Sequence, residues 1–252
     1  MESEELAIRK QMPVTYKDLG KNGRLGNAIF EMCAAIGLAV KHSDSYIFPY
    51  WQYSESFNFP SGSFIAENNI KYDNTYVEKS FTYNEIPYSQ NLNLEGYYQS
   101  YKYFEHCKHY ISDVFTMKNM SPINNTAIHV RRGDYINLGN SYYIDLAATN
   151  YYEQAMEIIG PGNYLIFSDD PAWCRNRFKG IDVVESGGDV IQDFNMLLRC
   201  ENQIIANSSF SWWAAYLNRN PNKKVIAPKN WFGHKLSYND TRDLIPTDWM
   251  LI

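Results

Sequence analysis

The sequence predicts an α/β fold, with a parallel sheet flanked by helices on both faces in its second half. Three observations lead there. Beyond residue 126, short apolar runs alternate with segments of helical period, the order that builds crossover-linked parallel strands. The polar clusters fall where those strands end, the edge at which such sheets bind ligands. With 252 residues, 45% of them hydrophobic and 20% charged, the chain is long enough for one large core or two modest ones.

Taken in order, a polar start gives way to a weak strand at 12–16. The glycine-rich turn GKNGRLGN at 20–27 then opens onto a helix at 28–41, where Ile29, Met32, Cys33, Ile36 and Leu38 recur at helical spacing. Asn27 reads either as that helix's cap or as part of a loop whose amides approach an anion. Residues 43–93 are rich in Tyr, Asn and Ser and broken by Pro49, Pro60 and Pro87, so only a short strand at 46–49 is legible there. A helix is expected at 106–115. The polar connector at 119–126 divides the chain into an N-terminal domain, 1–120, and a C-terminal one, 121–252. The second domain is expected to hold strands at 127–131, 164–167, 182–185, 203–206 and 224–227. Helices at 150–159, 171–178, 189–200 and 210–217 alternate with them.

Two stretches carry candidate chemistry. In HVRRGDY (129–135) a β-branched strand carrying His129 stops at Arg131, Arg132 and Asp134. A guanidinium holds a phosphate through two parallel hydrogen bonds, and the same residues also suit an Arg/Asp ion pair. In NSSFSWW (207–213) a strand delivers Ser208 and Ser209 to a helix start at Phe210. Hydroxyls and unsatisfied amides converge there, a cradle for phosphate or a plain N-cap. The two stretches lie at the same edge of the sheet, at the carboxyl ends of its strands, which favours the phosphate clamp. Asp169 and Asp170, before Pro171, suit a helix cap or an acceptor for a base or ribose. Asp193 is a charge beside an apolar stripe. Adjacent carboxylates without a third partner make a poor metal cage, and His106, Cys107 and His109 have no second ligand cluster, so no metal is expected. Trp212 and Trp213 are too close in sequence to share one helical face, so at least one should pack in the core.

A net charge of -5 argues against a nucleic-acid partner. Four scattered cysteines suggest neither a disulfide framework nor a zinc ribbon. No stretch has signal-peptide or membrane-spanning character, so a soluble, cytoplasmic protein with at most peripheral membrane contact is expected.

HVRRGDY, the early GRLGN (23–27), FSDD (167–170) and NSSFSWWAAYL (207–217) together resemble glycosyltransferase family 11, the α-1,2-fucosyltransferases, in their bacterial form. That resemblance implies a GT-B-like fold of two Rossmann-like domains, with the donor site in the cleft and on the C-terminal domain and the acceptor side on the N-terminal domain. It implies transfer of L-fucose from GDP-β-L-fucose to the 2-hydroxyl of a terminal galactose, with inversion and without metal or cofactor. The acceptor would be an oligosaccharide or a lipid-linked glycan. By the same resemblance Arg131, Arg132 and His129 form the catalytic group. Asn27, Asp134, Ser208, Ser209 and Phe210 are then donor contacts, with Asp134 bracing its loop, and Asp169 and Asp193 join the expected donor contacts from their own setting. The chain departs from the family pattern at Arg24, where a second glycine is usual, and at Ala28, where glutamine is usual. Two competing readings are a GT-B transferase using another nucleotide sugar, such as GDP-mannose, and a non-catalytic glycan-binding module.

Overall fold

The computed structural model describes residues 13–138, 141–185 and 187–252. The polar start, with residue 12 of the expected first strand, lies outside the described residues. The chain forms two compact α/β units, Met1–Thr116 and Met117–Ile252.

The first unit is built on a five-stranded sheet, parallel throughout: β1 (Val14–Thr15), β2 (Tyr46–Pro49), β3 (Phe64–Ile65), β4 (Asn74–Val77) and β5 (Leu92–Glu95), in the order β3-β2-β1-β5-β4. Helix α1 (Leu25–Lys41) connects β1 to β2. It is apolar nearly all round, and 14 of its 17 residues are buried, as expected of a helix enclosed by its own unit. Gly37 lets the segment at 101–104 close on it, because any Cβ there would collide with the Tyr103 carbonyl. The helix starts three residues earlier than the expected 28–41, with Arg24 as N-cap, so Asn27 lies inside the first turn and does not cap it. A shorter helix, α2 (Lys108–Val114), occupies the middle of the expected 106–115. The two strands nearest the exit of β1 are β2 and β5. The chain adds β2 and β3 on one side of β1, then β4 at the opposite edge and β5 between β4 and β1, so β1 and β5 flank a topological switch point.

The second unit contains β6 (Ile123–Val130), β7 (Tyr164–Ser168), β8 (Asp182–Val183), β9 (Cys200–Ile204), β10 (Val225–Ala227) and β11 (Met250–Leu251). All pair in parallel, in the order β11-β10-β9-β6-β7-β8. The helices are α3 (Gly133–Leu138), α4 (Tyr151–Ile159), α5 (Pro171–Arg177), α6 (Val190–Arg199) and α7 (Ser209–Leu217). Strand β6 begins at Ile123, inside the stretch expected as connector, because Asn124, Asn125 and Thr126 sit at the entry of the sheet where polar side chains are tolerated. Strand β9 begins at Cys200 and not at 203, directly after α6, with polar Glu201 and Asn202 hiding it from a hydrophobic pattern. Helix α3 replaces part of the expected loop after β6, and β11 adds an edge strand that the sequence reading lacks.

The second unit's core gathers Ile128, Val130, Tyr152, Ala155, Ile166, Phe178, Ile204 and Ile226 between the sheet and its helices. Two buried tyrosine hydroxyls are satisfied by backbone: Tyr151 donates to the Ile205 carbonyl at 2.7 Å and Tyr152 to that of His129 at 3.0 Å. Trp212 and Trp213 are both fully buried, and the Trp212 indole N–H donates to the Leu244 carbonyl at 2.9 Å. The sheet reverses its direction of growth at β6, so β6 and β9 flank the second switch point. None of the described helices is long and apolar enough to cross a membrane.

Candidate functional site

At the carboxyl end of β6 the chain leaves the sheet through Arg131 and Arg132, and the acidic residues that follow β7 meet it there. The Arg131 guanidinium pairs with Asp134, one turn on, and with Asp169. The other Asp169 oxygen accepts from the Arg132 amide at 2.9 Å. A Cβ on Gly133 would collide with the Asp169 carboxylate, which explains a glycine between the arginines and Asp134. Asp169, expected as an acceptor for a base or ribose, ties β7 to the β6 exit. Asp134 lies against the same Arg131 guanidinium.

The two arginines differ in their surroundings. Arg132 lies flat over the Trp173 ring, its carbon 3.7 Å from the centroid, and donates through Nε to Asp170 at 3.2 Å. Asp170 in turn caps α5 by accepting from the Trp173 amide at 3.1 Å. Arg132 is thus bound into the α5 start by stacking and by charge. Arg131 is as buried as Arg132, with side chains 14% and 13% exposed, and its partners Asp134 and Asp169 are 47% and 27% exposed. An anionic ligand can replace a partly exposed carboxylate at such a guanidinium with little desolvation cost.

Tyr135 joins this cluster to the exit of β9. Its ring stacks on Tyr143 with centroids 4.1 Å apart, Arg131 stands 5.3 Å from its centroid, and its hydroxyl donates to the Asn207 carbonyl at 2.9 Å. The Asn207 amide is engaged by the carbonyls of Ile144 and Trp231 at 3.1 and 3.0 Å, so it holds loops together. Ser208 is the N-cap residue of α7 in extended conformation, yet its side chain makes no capping hydrogen bond. The plain capping role is thereby not the one Ser208 fills, and the amides of the first turn, with Ser209 and Phe210, form the start of a nine-residue helix with its positive dipole end at the β6–β9 switch point. Phe194 packs edge-on against Phe210 at 5.4 Å, which brings the first turn of α6, and Asp193 in it, beside the α7 start.

His129 is 6% exposed within β6, and its Nδ1 lies 2.9 Å from the Ser211 hydroxyl. That hydroxyl also lies 3.3 Å from the Ser208 carbonyl, and a hydroxyl has one proton to donate. With that proton on the carbonyl, Ser211 accepts from Nδ1–H and leaves the lone pair on Nε2. Burial, helped by the Arg131 charge, pushes the imidazole down to about 3, so the ring is neutral at physiological pH. Because the folded state then binds fewer protons than the unfolded one, this histidine contributes stability above its ordinary value of 6.5, lost as pH falls toward about 3. His129→Asn is expected to flatten the acid side of a Tm-against-pH curve between pH 6.5 and 4, and an unchanged slope would show that the histidine is not a buried neutral base.

Asn27 stands at the β1–β5 switch point of the first unit. Its Oδ1 accepts from Gln99 Nε2 at 3.0 Å and its Nδ2 reaches the Asn22 carbonyl at 3.4 Å. Gly23 has φ +118, and a Cβ there would collide with the Asn27 amide, so this position requires glycine. Arg24, with φ -108, is extended and needs none, and Ala28 is buried in α1. Both departures from the family pattern are therefore accommodated locally. The Cys107 thiol and the His106 ring are engaged by the carbonyls of Phe104 and Gly37, at 3.4 and 3.0 Å. Sequence reasoning missed Ser211, the bridging role of Tyr135, the Trp173 stack under Arg132, and Gln99. The only signal was that Ser208 and Ser211 are three apart on one helix face.

The profile described as Glycosyl transferase family 11 matches residues 54–252, which include the arginine pair and the α7 start. Among known proteins, the chain is 39% identical over 119 residues to the O-antigen biosynthesis glycosyltransferase WbnK of Escherichia coli, covering 43% of this chain and 39% of that protein. It is 28% identical over 180 residues to an alpha-1,2-colitosyltransferase of Escherichia coli, covering 62% and 61% of the two chains. It is 25% identical over 232 residues to galactoside alpha-(1,2)-fucosyltransferase 2 of Oryctolagus cuniculus, covering 77% of this chain and 65% of that one. The matches thus span between about two fifths and two thirds of the length of these relatives. With most of its length inside the family profile, the chain belongs to glycosyltransferase family 11.

Proposed function

We propose that this protein transfers L-fucose from GDP-β-L-fucose to the 2-hydroxyl of a terminal galactose, with inversion and without metal, in a GT-B arrangement of its two α/β units. The acceptor is a galactose-terminated oligosaccharide or lipid-linked glycan, approached from the N-terminal domain, 1–120. The C-terminal domain, 121–252, binds the donor. The observation that carries this reading is Arg131 at the β6–β9 switch point, held by two partly exposed carboxylates and linked through Tyr135 to the start of α7. The similarity to fucosyl- and colitosyltransferases with 1,2 linkage supports this choice of sugar and bond.

Breaking the fucose–phosphate bond develops negative charge on the departing GDP. The Arg131 guanidinium stabilises that charge once the pyrophosphate takes the place of Asp134, and the Ser208–Phe210 amides add the helix dipole. Arg132 fixes the loop that carries Arg131. His129, neutral and hydrogen-bonded to Ser211, anchors β6 to α7 and keeps a second positive charge out of the strand; as so weak a base it does not take the acceptor proton. The acceptor hydroxyl attacks in line on the face opposite the leaving phosphate, which gives inversion, and it loses its proton late, to a base or to solvent, as GDP departs.

Thermal unfolding with free nucleotides tests the donor half of this reading. A ligand bound only by the folded state stabilises it by about 2.7 kcal/mol at a hundredfold excess over Kd. GDP is expected to raise Tm while UDP and ADP at equal concentration do not; equal shifts from all three would contradict a guanine-nucleotide donor.

A further inference from the structure

We propose that Gln99 is a positioning residue for Asn27, holding its carboxamide in one orientation at the β1–β5 switch point. The inference rests on the reading of Asn27 as a donor contact. A carboxamide has nearly the same shape in two orientations related by a half turn, and only its hydrogen-bond partners decide which end is the donor. Here the Asn22 carbonyl, which can only accept, sets the polarity, and Gln99 holds the remaining end. The Asn22 carbonyl accepts from Asn27 Nδ2 at 3.4 Å, and Gln99 Nε2 donates to Asn27 Oδ1 at 3.0 Å. The amide lies against the bare Cα of Gly23, where no side chain fits.

The element that carries Gln99 is built for rigidity. After β5 the chain turns at Gly96, with φ +139, against the Glu78 side chain. The Glu78 carboxylate then accepts from the amides of Tyr97 and Tyr98 at 2.7 and 3.0 Å. Tyr16 donates its hydroxyl to the Gly96 carbonyl at 2.7 Å, which ties the β5 exit to the β1 exit. Tyr98 adopts φ +50, uncommon for a bulky residue, and is held there by full burial and by its hydroxyl, 3.0 Å from the Tyr76 and Glu95 carbonyls. Gln99 itself, 9% exposed, is the central residue of a γ-turn closed from the Ser100 amide to the Tyr98 carbonyl at 2.8 Å. An over-determined turn with a bulky residue at positive φ thus ends on one amide whose contact is another amide 72 residues away.

The consequence is a polarity. With Oδ1 taken by Gln99, the Asn27 amide turns its N–H end toward the Gly23 loop, the orientation that suits phosphate oxygens. Turning it over would present an acceptor to an anion. Gln99→Glu keeps the shape of the side chain and reverses its polarity, so it draws Nδ2 to itself and turns Oδ1 outward. Gln99→Leu only removes the key.

GDP affinity of the full chain, measured by calorimetry, is the readout, with donor kcat and KM recorded beside it. Gln99→Glu and Asn27→Ala are each expected to weaken GDP binding by about tenfold, the loss of one hydrogen bond to a charged group, and Gln99→Leu by less. In the Asn27→Ala background the Gln99→Glu change is expected to cost almost nothing more, because the two act through one amide. Losses that multiply overturn the proposal, as does a Gln99→Glu protein that loses Tm but keeps wild-type GDP affinity. A wild-type protein that binds no GDP overturns the donor reading itself. A wild-type protein that binds GDP but fails to couple Gln99 to Asn27 overturns the positioning role alone.

Discussion

Arg131→Ala is expected to lower the rate of fucose transfer by about 10²–10³-fold, the usual loss when a group facing developing negative charge is removed, with little change in Tm. The fold should survive because what Arg131 leaves behind, Asp134 and Asp169, is partly exposed and can be served by water. Arg131→Lys is expected to restore at most about a tenth of the activity, since an ammonium cannot reproduce a two-pronged contact with a pyrophosphate. Arg132→Ala should behave differently. It removes the stack on Trp173 and the charge on Asp170, the cap of α5, so about 1–3 kcal/mol of stability goes with it. Steady-state kinetics and thermal unfolding on the same two variants separate these roles. An Arg131→Ala protein with near-normal kcat and KM would sink the clamp.

The first unit carries a second large effect, in stability and not in rate. Glu31 lies on α1 with no exposed surface, and neither of its carboxylate oxygens makes a hydrogen bond among the described residues. Burial pushes its carboxyl up to about 8. The Gly20 amide and the Tyr16 hydroxyl approach it and offset part of the rise without reaching hydrogen-bonding geometry, while the nearby Asp18 charge adds to it. Between its ordinary value of 4.5 and about 8 the folded state therefore binds more protons than the unfolded one, and stability falls as pH rises through that window. The fall attributable to this one group is on the order of 3–5 kcal/mol from pH 4 to pH 9. Glu31→Gln, which imitates the protonated form, is expected to be about as stable as wild type at pH 5 and about 2 kcal/mol or more stabilised at pH 9. Denaturant unfolding of both proteins at the two pH values checks this. A variant equally destabilised at both would place an unrecognised partner on the carboxylate.

What could be read in the sequence follows the strength of its periodic signals. The second unit was legible because β6, β7 and β10 are short apolar runs set between amphipathic or capped helices. The polar groups after β6 and β9 pointed to a common edge before any contact was known. The first unit resisted for physical reasons. Strand β3 has two residues, and β4 is an exposed edge strand whose Asn74, Thr75 and Val77 show no alternation. Asn27 looked like a helix cap because an Asn after a glycine turn commonly is one, but the buried Leu25 and Gly26 carry the helix further back. Within the candidate site, the residue types were visible and their partners were not. Nothing in the spacing of Gly133 and Asp169, or of Asn27 and Gln99, announces that each pair touches. The identity of HVRRGDY could suggest a charged or catalytic histidine; only the structure shows the His129 ring buried, neutral and held against Ser211 and Phe210.

The most direct test is incubation of the purified chain with GDP-fucose and a panel of β-galactosides, in the presence of a metal chelator, followed by linkage analysis of the product. The account predicts fucose α-linked to the 2-hydroxyl of the terminal galactose, formed at a rate the chelator does not change. Fucose on another hydroxyl, transfer only from a different nucleotide sugar, or no turnover of GDP-fucose would contradict it.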